Sequence, residues 1–158
     1  MRVISIDPGY DRLGVAVLEK ESAKEVLLFS DCIQTNKKDD FADRLFAVVY
    51  AVEQIIDEYT PDIFAIEKLF FNTNQKTAMQ VAQVIGALLY LAKKQQLPVY
   101  EYTPLQIKVA VAGNGRGSKT DVIAMLHHLI PINKKIALDD EYDAIAVGLT
   151  CLVSQRIR

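Results

Sequence analysis

The sequence predicts a single three-layer α/β domain built on a mixed sheet, and three observations point there. The chain has 158 residues, enough for one compact domain with a substantial core and too few for two full ones. Its apolar pattern alternates between short β-rich runs and stretches spaced at three and four residues, giving the order β-β-β-α-β-α-β-α-α-α. No internal repeat or linker-like stretch interrupts it, so residues 1–158 are read as one domain.

The elements follow in order. Val3 to Ile6 is a short apolar run closed by the turn signal Asp7-Pro8-Gly9; Leu13 to Leu18 and Glu25 to Thr35 are the next two runs. Short turns between three successive strands predict an antiparallel meander. From Asp40 to Tyr59 the period changes. Phe41, Leu45, Val48, Val49, Val52, Ile55, Ile56 and Tyr59 form an apolar stripe, with Arg44, Glu53, Gln54, Asp57 and Glu58 assigned to the solvent side. Thr60-Pro61 ends that helix, and Asp62 to Glu67 is an almost wholly apolar strand of the kind buried on both faces. Thr73 to Gln95 reads as a long helix and Pro98 to Tyr102 as a fifth strand. Thr103-Pro104-Leu105-Gln106 and Ser118-Lys119-Thr120-Asp121 are helix starts with capping boxes. A last helix runs from about Asp140 to Ser154.

Composition narrows the function classes. Apolar residues make up 51% and charged residues 24%, with 7 Gly and 5 Pro, which excludes collagen, low-complexity disorder and a disulfide scaffold. An acid at position 7 cuts the first apolar run short of a signal-peptide core, and the longest apolar run, Val84 to Ala92, is too short to cross a bilayer, so a cytoplasmic protein without a membrane role is expected. Cys32 and Cys151 form no Cys-x-x-Cys pair and read as buried small hydrophobes. The net charge is −2, but it is unevenly spread: residues 68–136 hold nine basic and two acidic residues, a balance of +7 that leaves −9 elsewhere. That asymmetry suits a polyanion footprint beside an acidic region needing its own counter-charge; a solvated basic face is the plainer alternative.

The candidate chemistry lies in acids. Asp7 and Glu67 each close a buried strand, where an uncompensated carboxylate carries a desolvation cost. If those strands pair in parallel, their C-terminal ends meet on the sheet edge where α/β sites form. Asp140 and Asp143, at i and i+3, share a face of the last helix's first turn; as acids at a helix start they need no other explanation, but with Asp7 and Glu67 they make a set of four. Such a set calls for hard divalent cations with oxygen ligands, Mg²⁺ rather than zinc. Two ions roughly 4 Å apart could activate water and stabilise a leaving oxygen at a phosphodiester. The Gly113 to Gly117 stretch matches neither a phosphate-binding loop nor a dinucleotide fingerprint; it reads either as a basic loop with Arg116 and Lys119 free to meet phosphates or as a simple turn. His127 and His128, adjacent on a helix, read as core edge or surface rather than ligands. Phe70-Phe71 is either a core plug or a platform for stacking unpaired bases.

Taken in order, Ile-Asp-Pro-Gly with Gly14, Phe-Ala-Ile-Glu with Phe70 three residues on, Lys108, Lys119 and the Asp-x-x-Asp-Ala of the last helix resemble the RuvC family of Holliday junction resolvases over nearly the whole chain. The resemblance implies a ribonuclease H-like three-layer fold with a five-stranded mixed sheet flanked by helices. It also implies a homodimer that cuts two opposing strands of a four-way DNA junction symmetrically, and cooperation with the branch-migration proteins RuvA and RuvB. On it, Asp7, Glu67, Asp140 and Asp143 match the catalytic, metal-binding acids for two Mg²⁺ with Mn²⁺ as a substitute, Phe70 the junction-opening aromatic, and Lys108 and Lys119 DNA contacts. The long helix becomes the dimer-facing element through Ala82, Ile85, Leu88 and Leu89. Asp139 competes with Asp140 for its role, although only Asp140 keeps the i, i+3 relation to Asp143. Other ribonuclease H-like nucleases such as ribosomal-RNA-precursor processing enzymes would share the strand-end acids, and a non-catalytic DNA-binding module would share the charge asymmetry; an actin-like kinase fits neither the Tyr after Gly9 nor the length.

Overall fold

Alternating burial along the first strands sets the architecture. The computed structural model describes residues 1–22, 24–68 and 75–155, with only the backbone of 75 and 76. β1 (Arg2–Asp7), β2 (Arg12–Glu21) and β3 (Lys24–Gln34) form the antiparallel meander, and β4 (Ile63–Glu67) and β5 (Val99–Tyr102) complete one five-stranded sheet in the order β3-β2-β1-β4-β5. β4 runs parallel to β1, with Ile6 opposite Ile66, and β5 runs parallel to β4. The parallel pairing expected of the first and fourth strands is therefore present. A register shift between Val17 and Leu18 interrupts the β2–β3 ladder.

Because side chains on a strand point to opposite faces in turn, each central strand feeds two cores. Ile4, Ile6, Val15, Val17, Phe64 and Ile66 face α1 (Phe41–Tyr59) and α2 (Gln75–Lys94). Val3, Ala16, Leu18 and Ala65 face α3 (Pro104–Ala112), α4 (Lys119–Leu129) and α5 (Asp139–Ser154). The central strands are covered on both sides, which explains why β4 reads as a continuous apolar run.

The caps follow the sequence closely. Asp40 caps α1 by accepting from the Asp43 N–H at 2.9 Å, and Thr103/Gln106 and Ser118/Asp121 form reciprocal capping boxes on α3 and α4. α5 is the exception: Leu138 stands at its N-cap and makes no side-chain cap hydrogen bond.

Two helix faces differ from expectation. Arg44 is buried rather than solvent-facing: its guanidinium lies 4.6 Å from the centre of the Tyr10 ring, donates to Thr35 Oγ1 at 2.9 Å and pairs with Asp11. The aromatic face and the carboxylate satisfy a cation that helical periodicity alone sends outward. On α2, Leu88 is fully buried against the sheet and is not open to a partner, while Ile85 and Leu89 pack partly onto the same core and, with Ala82, stay half-buried. The outward stripe is Met79, Gln83, Gly86 and Tyr90, with Met79 and Tyr90 more than 70% exposed. Cys32 and Cys151 are buried and unpaired. Among the described residues no helix is long and apolar enough to cross a membrane.

Leu88→Ala is expected to destabilise the protomer by about 2–5 kcal/mol, as for other buried leucines. Chemical denaturation measures that loss, and equilibrium sedimentation should show an unchanged association state.

Candidate functional site

Asp7 and Glu67 end neighbouring parallel strands, so their carboxylates emerge side by side at one edge of the sheet. The strand residues before them are buried, which leaves each acid at the boundary between core and cleft. The other two acids arrive on α5. Gly14 stands opposite Asp7 in the β1–β2 ladder, and a Cβ there would lie 1.9 Å from the Asp140 carbonyl oxygen and 3.2 Å from Ala144 Cβ. Only glycine lets the first turn of α5 press against the hairpin so closely. Gly148 makes a second close approach, where a Cβ would fall 2.4 Å from Leu18 Cδ1. Ser5, fully buried on β1, donates to the Ala144 carbonyl at 2.8 Å and fixes the helix along the strand.

This placement gathers negative charge. Burial raises the Asp7 carboxyl well above its ordinary range, and Glu67, Asp143 and Asp140 add to the effect while Lys119 opposes it. Burial, reinforced by Asp143, pushes Glu67 up to about 7. Asp143 is raised by burial and pulled back by Lys119, whose Nζ lies 2.6 Å from Asp143 Oδ2 and 2.8 Å from Asp139 Oδ2. Burial disfavours the Lys119 ammonium, but its hydrogen bonds to Asp139 and Asp143 outweigh that and hold the proton tightly. Arg12 Nε lies 3.3 Å from Asp140 Oδ2, a charge contact without hydrogen-bond geometry, since that oxygen is buried with no hydrogen-bond partner. The helix acids thus have cations from the protein itself. Among the described residues, Asp7 and Glu67 have none in contact.

Asp139 and Asp140 differ in direction. Asp140 acts on Asp7, whereas Asp139 is an exposed partner of Lys119, which holds its carboxyl below the usual range. A ready-made metal cage is not formed: among the described residues no three His, Cys, Asp or Glu side chains stand at metal-holding distances. Asp143 is turned to Lys119 and Asp140 to Arg12 instead. The donor set nevertheless fits a hard divalent cation, being all oxygen, and two desolvated, mutually repelling carboxylates are what such an ion would neutralise.

A cavity of about 230 Å³ opens beside the acids, with Glu67, Asp143, Lys108 and Lys119 around an apolar floor that includes Ile107 and Val122. Lys108 on α3 and Lys119 at the start of α4 therefore face the same cleft. Arg116 is exposed in the loop before α4, its backbone N–H donating to Asn114 Oδ1 at 3.0 Å, and it is not among the residues lining the cavity. Phe70 lies outside the described residues. His127 Nε2 is 3.0 Å from the Tyr142 hydroxyl, a surface contact. Arg12 and Glu141 are contributors that sequence reasoning missed. Arg12 stands two residues before Gly14, so the close approach at that glycine is the signal that could have found it. Glu141 carries no local signal, because its partners Ser30 and Lys134 come from distant or irregular segments.

Glu67 binds its proton more tightly in the folded protein, at about 7, than at its ordinary value of 4.5. Its favourable contribution to metal-free stability is therefore complete below pH 4.5 and lost as pH rises to about 7. Glu67→Gln should raise Tm above pH 7 and leave it nearly unchanged below pH 4.5, and carboxyl carbon chemical shifts should titrate with a midpoint near 7 in the parent protein.

Comparison with known proteins identifies the family of the chain. The family model described as crossover junction endodeoxyribonuclease RuvC matches residues 3–151. A relative of that description from Halothermothrix orenii is 40% identical over 149 residues, covering 94% of this chain and 90% of the relative, and one from Rickettsia prowazekii is 38% identical, covering 99% of both chains. A solved structure, Thermus thermophilus RuvC in complex with a Holliday junction substrate, superposes with a TM-score of 0.92 at 30% identity, covering 99% of this chain and 96% of that one. With a family model, relatives near 40% identity and a solved ribonuclease H-like structure all matching along nearly its full length, the chain belongs to the crossover junction endodeoxyribonuclease RuvC family.

Proposed function

We propose that this chain is a structure-selective DNA endonuclease that resolves four-way junctions, cutting two opposing strands symmetrically as a homodimer in recombination and repair in the cytoplasm. The observation that carries it is that Glu67 and Asp143 line one cleft with Lys108 and Lys119, with Asp7 near enough to feel the charges of Glu67, Asp143 and Asp140, in a chain that superposes on a RuvC solved with junction DNA.

The four carboxylates would hold two Mg²⁺ ions, for which Mn²⁺ would substitute. When bound, a divalent cation supplies Lewis-acid stabilisation of the phosphate and leaving oxygen and lowers the pKa of water. The chain's own groups do the rest. Asp7 and Glu67 are fixed by rigid strands and have no protein cation in contact among the described residues, so they bind added positive charge with little rearrangement. Asp143 is available once its bond to Lys119 is released, and the ammonium then faces the cleft where a scissile phosphate would lie. Lys108 contacts the same strand from α3, and Arg116 reaches an outlying phosphate from its loop. In-line attack by water would leave a 5′-phosphate and a 3′-hydroxyl. Phe70, following β4 by three residues, would stack on bases opened at the crossover.

The dimer reading rests on the outer stripe of α2, Met79, Gln83, Gly86 and Tyr90, spaced four, three and four residues apart, and on the exposed stacked pair Phe46 and Tyr50 of α1. Family membership supports cooperation with RuvA and RuvB at the junction.

Asp7→Asn should bind a synthetic four-way junction like the parent but cut it more than about a hundredfold more slowly, since a ligand itself and not an outer-shell partner is altered. Paired symmetrical nicks in the junction, absent from linear duplex and from an RNA–DNA hybrid, are the expected product pattern with Mg²⁺. Lys119→Ala should reduce the slope of log affinity against log salt by about 0.9 if the ammonium neutralises one duplex phosphate; binding titrations from low to moderate salt measure it.

A further inference from the structure

The start of α5 delivers Asp140 and, just past the first turn, Asp143, yet it lacks the side-chain cap that steadies α1, α3 and α4. Its acids, Asp139, Asp140 and Glu141, suit the positive end of the helix but repel one another. Gly14 and Ser5 restrain the turn from the hairpin side. They act on the backbone at Asp140 and Ala144 and leave the turn's far side to be held by something else.

Glu141 provides that hold. It is 5% exposed, and its Oε1 accepts from Ser30 Oγ at 2.6 Å and lies 2.7 Å from Lys134 Nζ. The same ammonium donates to the Ser30 carbonyl at 2.7 Å. Three groups from the edge strand β3, the segment between α4 and α5, and α5 itself thus close on one another. Lys134 remains nearly half exposed, so its pairing with the buried Glu141 contributes modestly as a charge contact; what the linked set adds is direction. Hydrogen bonds of this length tolerate little sliding, and turning the helix by one residue swings a side chain through about 100°.

We propose that Glu141, through Ser30 and Lys134, is a positioning residue that sets the rotation and height of α5's first turn and hence the places of Asp140 and Asp143 relative to Asp7 and Glu67. The inference rests on the reading that those four acids hold a divalent cation. Glu141 is not itself a ligand. It adjoins Asp140 on the chain and turns the other way, toward β3.

The test is Mn²⁺ affinity of the free protein, followed by titration calorimetry without DNA. Glu141→Ala and the milder Ser30→Ala are compared with Glu141→Gln and with the core variant Leu88→Ala. Ser30→Ala is expected to weaken Mn²⁺ binding roughly 10-fold, as for other outer-shell partners, and Glu141→Ala at least as much. Glu141→Gln, which still accepts from Ser30, should recover most of the affinity, and Leu88→Ala should lose stability without losing Mn²⁺. Should Glu141→Ala fail to fold, Ser30→Ala and Glu141→Gln still decide the matter. Parent-like Mn²⁺ affinity in folded Ser30→Ala, or an equal loss in Leu88→Ala, overturns the positioning role. Absence of Mn²⁺ binding by the parent protein overturns the metal reading beneath it, and the two failures are thereby told apart.

Discussion

The contact between Gly14 and the backbone of Asp140 is the constraint on which the site depends. Two of its acids belong to a rigid parallel strand pair and two to a helix, and a side chain at position 14 would push the helix away from the strand end. With no Cβ at position 14 the helix enters directly over the end of β1, opposite Asp7. Ser5 and Gly148 continue the contact one and two turns along, so α5 lies flush against the hairpin over much of its length. The fold and the site are here the same packing problem.

That packing creates an electrostatic imbalance which the molecule only half resolves. Lys119 and Arg12 answer the helix acids, whereas the strand acids remain desolvated beside one another with their protons held tightly. Rigid β-strands cannot relax to relieve the repulsion, and the neighbouring core excludes the water that would screen it. The result is a pair of groups whose charged forms are under strain until a cation arrives. Asp139 gives Lys119 a second anchor, so the ammonium can part from Asp143 without leaving the cleft.

Much of this was legible in the sequence because it is written in local patterns. Strand alternation, the boxes at Thr103 and Ser118, and acids that close buried runs all depend on neighbours within a few residues, and the order of strands and helices followed from them. Parallel pairing of β1 with β4 was readable as the arrangement that brings Asp7 and Glu67 together. What escaped depends on partners distant in the chain. Arg44 looked outward-facing by helical period, but Tyr10, Asp11 and Thr35 bury it. Leu88 suited an interface by type and spacing, and the sheet claimed it instead. Glu141 passed for one more acid at a helix start, since nothing near it announces Ser30, which lies 111 residues away.

The position of α5 in the chain also has a bearing on how the protein is made. The sheet face formed by Val3, Ala16, Leu18 and Ala65 is covered largely by α5, which follows every other described strand and helix in sequence. A ribosome that has released residues 1–138 has therefore produced a sheet with one apolar side open and only half of the acidic set. Nascent chains at that stage expose surface that favours association with other unfinished molecules or with chaperones. They also lack Asp140 and Asp143, so the acidic set is completed only as the core closes.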